Sequence, residues 1–339
     1  MRIALVYNGR PGGESWTDLK TDDYLEFDSD ETITAMQQAI SSAGHEVDKI
    51  NADHDAYEKL RGGNFDFVFN YAEGLHGESR ESHIPAILEM LKIPYSGSGV
   101  LSFALALDKF HTKRLLKEKG IPTPDFQLFR GADEQLKESF SFPLIVKPNS
   151  EGSSKGIMNN CLVQNENELR ERVAELLDKY KQSVIVEKFL PGREFTASIL
   201  GNGGEAVVLP LAEITYSDIP EDLHPIDSYE MKWKHDNPRE GRDPVVCPPE
   251  LDAELESQIK KAALDTFNAL ECRDWARVDI RLDENNVPNV LEINPFPGLM
   301  PDPLDNSRFT RSAYAAGMKY DAILLTVLNS ALKRYGMHK

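Results

Sequence analysis

Short apolar runs alternate with amphipathic segments in the N-terminal part of the chain. Residues 3–7 and 65–71 are apolar enough for buried strands. Residues 30–43 and 82–91 carry apolar side chains at the three- and four-residue spacing of a helix. Strands that alternate with helices predict a parallel sheet, and hence an α/β domain.

Further along the chain the pattern predicts antiparallel strands as well as helices. The predicted helices cover residues 109–119, 166–180, 250–270 and 321–335. The predicted strands cover residues 142–147, 183–187, 194–200, 206–211, 275–282 and 287–293. A glycine-rich turn at 201–204 joins strand 194–200 to strand 206–211, and a polar turn at 283–286 joins strand 275–282 to strand 287–293, which favours hairpins. The fold class is therefore α/β with an α+β part.

Two features of the chain suggest how it is divided. A length of 339 residues predicts two or three domains at ~150 residues each. A boundary is expected near Asp108, ahead of a basic helix and a proline-rich connector at residues 121–124. Residues 216–249 are polar and proline-rich with little periodicity, which at this length is typical of a functional lid.

The charge balance excludes several classes of partner. Lys and Arg number 38 against 56 Asp and Glu, a formal charge of −18 that disfavours nucleic acid and anionic membranes. Three scattered cysteines predict neither a disulfide framework nor a CxxC metal site. No membrane-length apolar run occurs, and the first apolar run stops at Asn8, so we expect a cytoplasmic protein.

A strand that ends in lysine precedes a glycine- and serine-rich loop. Lys147 is followed by Gly152, Ser153 and Ser154. Backbone N–H groups and hydroxyls of such a loop can bind phosphate oxygens, and the lysine adds a positive charge. A flexible surface hairpin is the alternative interpretation.

A second group of residues follows the next predicted strand. Glu187, Lys188, Phe189 and Leu190 precede a Pro–Gly turn, and Glu194 follows it. An adenine ring can lie against Phe189 or Leu190, with Glu194 accepting hydrogen bonds from ribose hydroxyls. The alternative is a plain strand–turn–strand with exposed carboxylates.

The third group carries the strongest chemical signal. Arg277 and Asp279 alternate onto one face of a strand, and Glu292 and Asn294 alternate onto one face of the next. If the strands pair as a hairpin, these faces converge. Two carboxylates and an amide suit Mg²⁺, and a neighbouring arginine suits a transferring phosphoryl group. Apolar residues at the alternate positions argue against a pair of surface salt bridges.

Together these motifs resemble those of the ATP-grasp ligases, and within them those of the D-alanine–D-alanine ligases. The resemblance rests on Asp108–Lys109, Val146-Lys147-Pro148, Glu151-Gly152-Ser153-Ser154, Glu187-Lys188, Gly192-Arg193-Glu194, Arg277-Val278-Asp279 and Leu291-Glu292-Ile293-Asn294. It implies an N-terminal Rossmann-like domain with a parallel sheet (1–107), a small central ATP-grasp subdomain (108–190) and a C-terminal catalytic subdomain (191–339).

The resemblance also implies a mechanism and roles for individual residues. A carboxylate attacks the γ-phosphate of ATP to give an acylphosphate, which an amine then attacks to form an amide. Two Mg²⁺ ions, with Mn²⁺ as the alternative, would be held by Asp279, Glu292 and Asn294. The implied catalytic residues are Arg277, Gly298, Lys232 and Ser153. The implied ATP-binding residues are Lys109, Lys147, Gly152, Ser153, Ser154, Glu187, Lys188, Phe189, Leu190, Glu194 and Lys232.

The chain departs from the family pattern where the amino acids would bind. A tyrosine of the family's loop is Trp233 here, and its serine–leucine pair is Pro303–Leu304. Glu26 and Glu31 compete with Glu14 for the family's early glutamate, and the family's His-Gly segment has no clean register. The substrate-site candidates are Glu14, His76, Arg80, Trp233, Ser307 and Arg308.

The resulting hypothesis is an ATP-dependent ligase that forms an amide between small amino-acid or carboxylate substrates, with D-alanine as the default. Peptidoglycan precursor synthesis would follow if D-alanine is the substrate, and the resemblance implies a homodimer. A ligase for a different amino acid or carboxylate, in natural-product or peptide assembly, is the first alternative. The second is a nucleotide-binding regulatory module without turnover, against which the intact metal ligands and Arg277 argue.

Overall fold

The computed structural model describes residues 1–11, 24–305 and 307–337, whose strands form three sheets. The strands are β1 (Arg2–Tyr7), β2 (Glu46–Asn51), β3 (Phe67–Tyr71), β4 (Phe126–Phe129), β5 (Leu144–Pro148), β6 (Leu162–Val163), β7 (Val184–Lys188), β8 (Glu194–Leu200), β9 (Val207–Val208), β10 (Ala212–Ile214), β11 (Val245–Val246), β12 (Trp275–Leu282) and β13 (Pro288–Asn294). The α-helices are α1 (Asp30–Ser41), α2 (Ala56–Gly62), α3 (His83–Leu91), α4 (Val100–Leu107), α5 (Lys109–Glu118), α6 (Glu166–Tyr180), α7 (Ala253–Ala269), α8 (Arg308–Ala315) and α9 (Tyr320–Arg334).

The first sheet is parallel, with the strand order β2-β1-β3. Side chains of β1 alternate between two hydrophobic clusters, with Ile3 and Leu5 in one and Ala4 and Val6 in the other. The predicted parallel sheet is thus confirmed. The sequence analysis missed β2, because its other positions are polar and only two of its side chains are buried.

The second sheet is antiparallel, in the order β4-β7-β5-β6, and α6 packs on it. The bounds predicted for α6 are those observed. Asn165 caps this helix by accepting a hydrogen bond from the Glu168 amide, while Leu169, Val173 and Leu176 fill its buried face. Helix and sheet together form the small central unit. The strand β4 was not predicted.

The third sheet has the antiparallel order β11-β10-β8-β12-β13, with β9 paired to β8, and α7 packs on it. The predicted pairing of β12 with β13 is confirmed. Helix α7 begins later than predicted, because the Asp252 side chain caps it by accepting from the Leu255 amide.

A shared core joins the first and third sheets. Trp275 of β12 is fully buried, and its ring centroid lies 5.9 Å from that of Tyr71 and 5.5 Å from that of Phe309. Phe103 and Phe296 stack beside them with centroids 4.1 Å apart. Helix α9 packs against α1 in the same cluster. The domain limits 1–107, 108–190 and 191–339 therefore stay a proposal, since the last helix shares a core with the first segment.

We predict that Trp275→Ala lowers the free energy of unfolding by about 3–5 kcal/mol, because it removes a large buried side chain from this shared core. Urea denaturation of the purified protein measures the change. Leu101→Ala is the control, since Leu101 is 67% exposed. Similar small losses for both variants would contradict the assignment of Trp275 as the central core residue.

Candidate active site

Two adjoining cavities lie where the three sheets meet. The larger has a volume of about 660 Å³ and the smaller about 110 Å³. Both are lined by Glu151, Gly152, Ser153, Lys232, Arg277 and Glu292. A group bound in the smaller cavity would therefore meet a molecule in the larger one beside Arg277 and Glu292.

Strands β12 and β13 supply the centre of this junction. Asp279 pairs in register with Glu292, and Arg277 pairs with Asn294. Arg277 donates two hydrogen bonds to the Asp279 carboxylate, at 2.8 and 2.7 Å. Asn294 donates a third to the same carboxylate, at 3.0 Å. The convergence expected from the alternation along the two strands is thus observed.

Cations from other elements surround Glu292. The Lys109 ammonium lies 3.3 Å from its carboxylate. Burial disfavours the charge of Glu292, but Lys109, Lys147 and Arg277 outweigh it and lower its pKa to about 2. The carboxylate is therefore ionised at neutral pH.

The donor set at this point fits a hard divalent cation. Asp279 and Glu292 line the smaller cavity and Asn294 the larger one, and Mg²⁺ prefers the carboxylate and amide oxygens that they carry. Within the described residues, no group of three His, Cys, Asp or Glu side chains could hold a metal ion. Phosphate oxygens and water would have to complete the coordination, as is usual for Mg²⁺.

Glu187, at the end of β7, lies between two buried lysines. Its carboxylate is 3.1 Å from the Lys147 ammonium and 3.3 Å from that of Lys113. Burial opposes ionisation, but the two lysines lower the pKa of Glu187 below its ordinary value. The sequence analysis missed Lys113, although its spacing of four from Lys109 places both on one face of α5.

The strand end beyond Glu187 lines the smaller cavity with Lys188, Phe189 and Leu190. Glu194 also lines it, and one of its oxygens accepts hydrogen bonds of 2.8 Å from both Arg281 and Tyr216. Those two partners were not predicted from the sequence. Both hydrogen bonds end on the same carboxylate oxygen and fix the orientation of Glu194.

The glycine- and serine-rich loop has an unusual backbone. Ser153 and Ser154 have φ angles of +50° and +59°, in the left-handed region that side chains other than glycine seldom adopt. The Ser154 hydroxyl donates to the Asp227 carbonyl at 2.9 Å. The Trp233 indole N–H donates to the Ser153 carbonyl at 3.1 Å. The loop is therefore held by residues of segment 216–249.

Segment 216–249 covers the junction of the cavities. Lys232 lies in its short π-helical turn (Met231–His235) and lines both cavities. Burial, with the charges of Arg308 and Arg277, lowers the pKa of Lys232 to about 8. Arg308 of α8 forms a bidentate ion pair with Asp227, at 2.7 Å for each bond, which anchors the segment.

Glu26 lies against the Gly152 amide, which donates to it at 3.1 Å. Arg80 donates to both Glu26 oxygens at 2.9 Å, and Lys155 lies 2.9 Å away. Burial opposes ionisation, but Arg80 and Lys155 lower the pKa of Glu26 to about 2. Of the competing glutamates, Glu26 is the one beside the loop. Glu14 lies outside the described residues.

Of the other substrate-site candidates, some line the larger cavity and others do not. Ser307 lines the larger cavity, and its hydroxyl donates to the Gly298 carbonyl. Arg308 lines the cavity too but is paired with Asp227. Arg80 is buried and points to Glu26 and Glu151. His76 is exposed and does not line either cavity.

One wall of the larger cavity carries three carboxylates that sequence reasoning did not select. We call Asp28, Glu73 and Glu81 the acidic wall. No described residue donates a hydrogen bond to their side chains or forms an ion pair within 4.0 Å. Burial raises the pKa of Asp28 to about 7 and that of Glu81 to about 8. Burial and the charges of Glu81 and Glu26 raise the pKa of Glu73 well above its ordinary value.

Comparison with known proteins gives one consistent family. The family model of the D-ala D-ala ligase C-terminus matches residues 115–329. A D-alanine–D-alanine ligase of Desulforamulus reducens is 34% identical over 314 residues, covering 88% of this chain and 92% of the relative. The uncharacterized protein y4sG of Sinorhizobium fredii is 37% identical over 268 residues, covering 79% and 75%. The crystal structure of the Bacillus anthracis D-alanine–D-alanine ligase complexed with ATP has a TM-score of 0.74, 26% identity and 99% coverage of both chains.

We predict that Glu81→Gln makes the protein more stable at pH 8, by about 1–3 kcal/mol. The folded pKa of Glu81 is about 8 against 4.5 as its ordinary value, so the folded state binds the proton more tightly. Stability is therefore lost as the pH rises between those values, and the glutamine variant avoids that loss.

Urea unfolding at pH 5 and pH 8 measures the difference. The exposed Glu78, on the same loop, gives the control variant Glu78→Gln. A gain for Glu81→Gln that is as large at pH 5 as at pH 8 would show that the charge of Glu81 is not its cause.

Proposed function

The chain belongs to the D-alanine–D-alanine ligase family of ATP-grasp enzymes and is an ATP-dependent C–N ligase, and we propose that it joins two D-alanine molecules. The observation that carries this proposal is the β12–β13 pairing, which places Arg277, Asp279, Glu292 and Asn294 where the two cavities meet. ATP would occupy the smaller cavity and the amino acids the larger.

The smaller cavity has the groups that a nucleotide requires. Phe189 and Leu190 offer apolar surface to the adenine, with Lys188 and Glu187 at its edge and Glu194 toward the ribose. Lys147, Lys109 and Lys232 supply positive charge to the phosphates. The N–H groups of Ser153 and Ser154, in the left-handed turn, would bind phosphate oxygens as a backbone nest does, next to Gly152, whose amide donates to Glu26.

The proposed reaction has two steps, phosphorylation of a carboxylate and formation of the amide. A carboxylate oxygen of the first amino acid forms a bond to the γ-phosphorus while the bond to ADP breaks. The amine nitrogen of the second then bonds to the acyl carbon, inorganic phosphate leaves, and the nitrogen loses a proton to solvent. Arg277 would stabilise the phosphoryl group in the transition state of its transfer, and the backbone at Gly298 would face the tetrahedral oxyanion.

Divalent metal ions would be held by Asp279, Glu292 and Asn294, and the number of two is part of the proposal. When bound, Mg²⁺ or Mn²⁺ neutralises charge on the ATP phosphates. Arg277 and Asn294 hold Asp279 in place, and Lys109 holds Glu292. These contacts orient the oxygens for the ion and its nucleotide.

Segment 216–249 would act as the lid that keeps water from the acylphosphate. The support is its double attachment, by Trp233 to the Ser153 carbonyl and by Asp227 to Arg308. The family's tyrosine has become Trp233, whose indole serves as a donor only.

A second candidate function is the ligation of an amino acid other than D-alanine. Pro303 stands where the family has serine, and proline donates no backbone hydrogen bond. Ser307 lines the larger cavity, donates to the Gly298 carbonyl and is the hydroxyl that we expect to contact the second substrate. The residues expected to contact the second substrate therefore differ from those of the family, while the motifs expected to bind ATP match it.

The partners follow from the same comparison. The relatives named as ligases act on small molecules, and we propose the same for this chain, as a homodimer in the cytoplasm that binds neither nucleic acid nor membrane. No helix of the described residues is long and apolar enough to cross a membrane.

We predict that Glu292→Gln lowers ligation by about 10³-fold, because a metal ligand that acts on the phosphoryl transition state is lost. Phosphate release with ATP, Mg²⁺ and D-alanine measures the rate, and mass spectrometry identifies the dipeptide. The control is Glu254→Gln, at an exposed glutamate in the first turn of α7. Unchanged turnover in Glu292→Gln, or no product from the wild type with D- or L-amino acids, would refute the proposed function.

We predict that Trp233→Phe increases the phosphate released per dipeptide formed, because the indole bond to the Ser153 carbonyl is lost and water reaches the acylphosphate. The ratio of phosphate to dipeptide at saturating substrates measures this uncoupling. Trp233→Tyr, which restores a hydroxyl donor, should be less uncoupled. An unchanged ratio in Trp233→Phe would exclude the lid contact from this role.

A further inference from the structure

The cavity wall beside the parallel sheet holds more carboxyl groups than the described cations near it can pair with. Glu26 and Glu151 share the buried Arg80 and Lys155, so those four charges balance. The acidic wall remains. Arg10 acts electrostatically on Asp28. No described cation forms an ion pair with Glu73 or Glu81.

The fold holds this arrangement by close backbone contacts. Gly74 has a φ of +82°, and a Cβ there would lie only 2.3 Å from the Arg80 carbonyl oxygen. The Gly74 amide also donates to the Asn8 side chain at 2.9 Å. The chain carrying Glu73 is thereby pressed against the turn that carries Glu81. Their proximity is built into the backbone.

Glu81 is the most informative member of the wall. It is 8% exposed, lines the cavity and receives no hydrogen bond from a described residue. A buried carboxylate without a partner is costly, and such groups in native proteins ordinarily meet a donor or a cation. Among the described residues Glu81 has no such partner, and we expect the bound molecule to provide one.

The chemistry of that molecule follows from the charges. The α-ammonium of an amino acid can neutralise one carboxylate of the Glu73–Glu81 pair but leaves the other. A cavity of about 660 Å³ leaves room for a side chain longer than the methyl group of alanine.

We propose that the first-substrate position accepts, besides D-alanine, an amino acid with a positively charged side chain. Its ammonium or guanidinium group binds Glu73 and Glu81, and it is preferred to an uncharged side chain of the same length. This inference rests on the proposed function, because it assigns a further substrate class to the same site.

The test compares charged amino acids with matched uncharged ones on the full chain. Lysine is compared with norleucine, and arginine with citrulline, each as D- and L-isomers with ATP, Mg²⁺ and D-alanine. Phosphate release gives kcat/KM, and mass spectrometry identifies the mixed dipeptide. We expect kcat/KM at least about tenfold higher for the charged member of a pair, as one charged hydrogen bond provides.

Variants separate substrate recognition from a structural role. Glu81→Gln and Glu73→Gln should lower kcat/KM for the charged amino acid by about 10- to 100-fold more than they lower it for norleucine or D-alanine. Glu78→Gln, on the exposed part of the same loop, should leave all values unchanged. Thermal unfolding checks that each variant folds.

Three results would overturn the inference. The first is an equal kcat/KM for the charged and the uncharged amino acid of both pairs, and the second is a variant that lowers kcat/KM for all substrates alike. The third is formation of the D-alanine dipeptide with no use of lysine or arginine. The last leaves the proposed function standing. If no amino acid supports turnover, the proposed function fails instead. Calorimetric binding of lysine against norleucine, with a non-hydrolysable ATP analogue present, then decides the inference alone.

Discussion

Asp279 and Glu292 face each other on paired strands in a buried cleft, and the charge that they bring has to be neutralised. The neutralising cations come from separate parts of the chain. Arg277 lies on the same strand, Lys109 on α5 and Lys147 on the central sheet. An ionised carboxylate that is removed from water needs cations nearby, and the approach of the sheets at this point supplies them to Asp279 and Glu292. The same packing of the sheets forms the cavities. The neutralisation of Asp279 and Glu292 and the shape of the site therefore depend on one arrangement of the sheets.

The nucleotide end and the substrate end of the site differ in their balance of charged groups. At the nucleotide end Lys147 and Lys109 already have carboxylate partners, in Glu187 and Glu292, so these two cations are held in place before phosphates arrive. Such preorganised charge costs little reorganisation during a reaction. At the substrate end carboxyl groups are in excess, since Glu73 and Glu81 form no ion pair with a cation of the described residues. The first end suits a polyanion and the second a molecule with positive charge.

Local patterns predicted the elements that carry their own signals. Helix α6 has a capping residue and apolar side chains at helical spacing, and its observed bounds equal the predicted ones. The β12–β13 hairpin follows from period-two alternation around a short polar turn. By contrast, β2, β4, α2, α4 and α8 were missed. Strand β2 buries only Val47 and Ile50. It is a strand because it pairs with β1, and its own residue pattern does not predict that pairing.

The sequence by itself determined the fold class and the grouping of Arg277, Asp279, Glu292 and Asn294, because alternation along neighbouring strands fixes which side chains share a face. Tertiary structure alone decided the rest of the site. It placed Glu26 against the glycine- and serine-rich loop, buried Lys113 beside Glu187, left His76 exposed and assembled the acidic wall. Such contacts join residues far apart in the chain, where no local periodicity records the neighbour, and only the packing of one sheet against another brings them together.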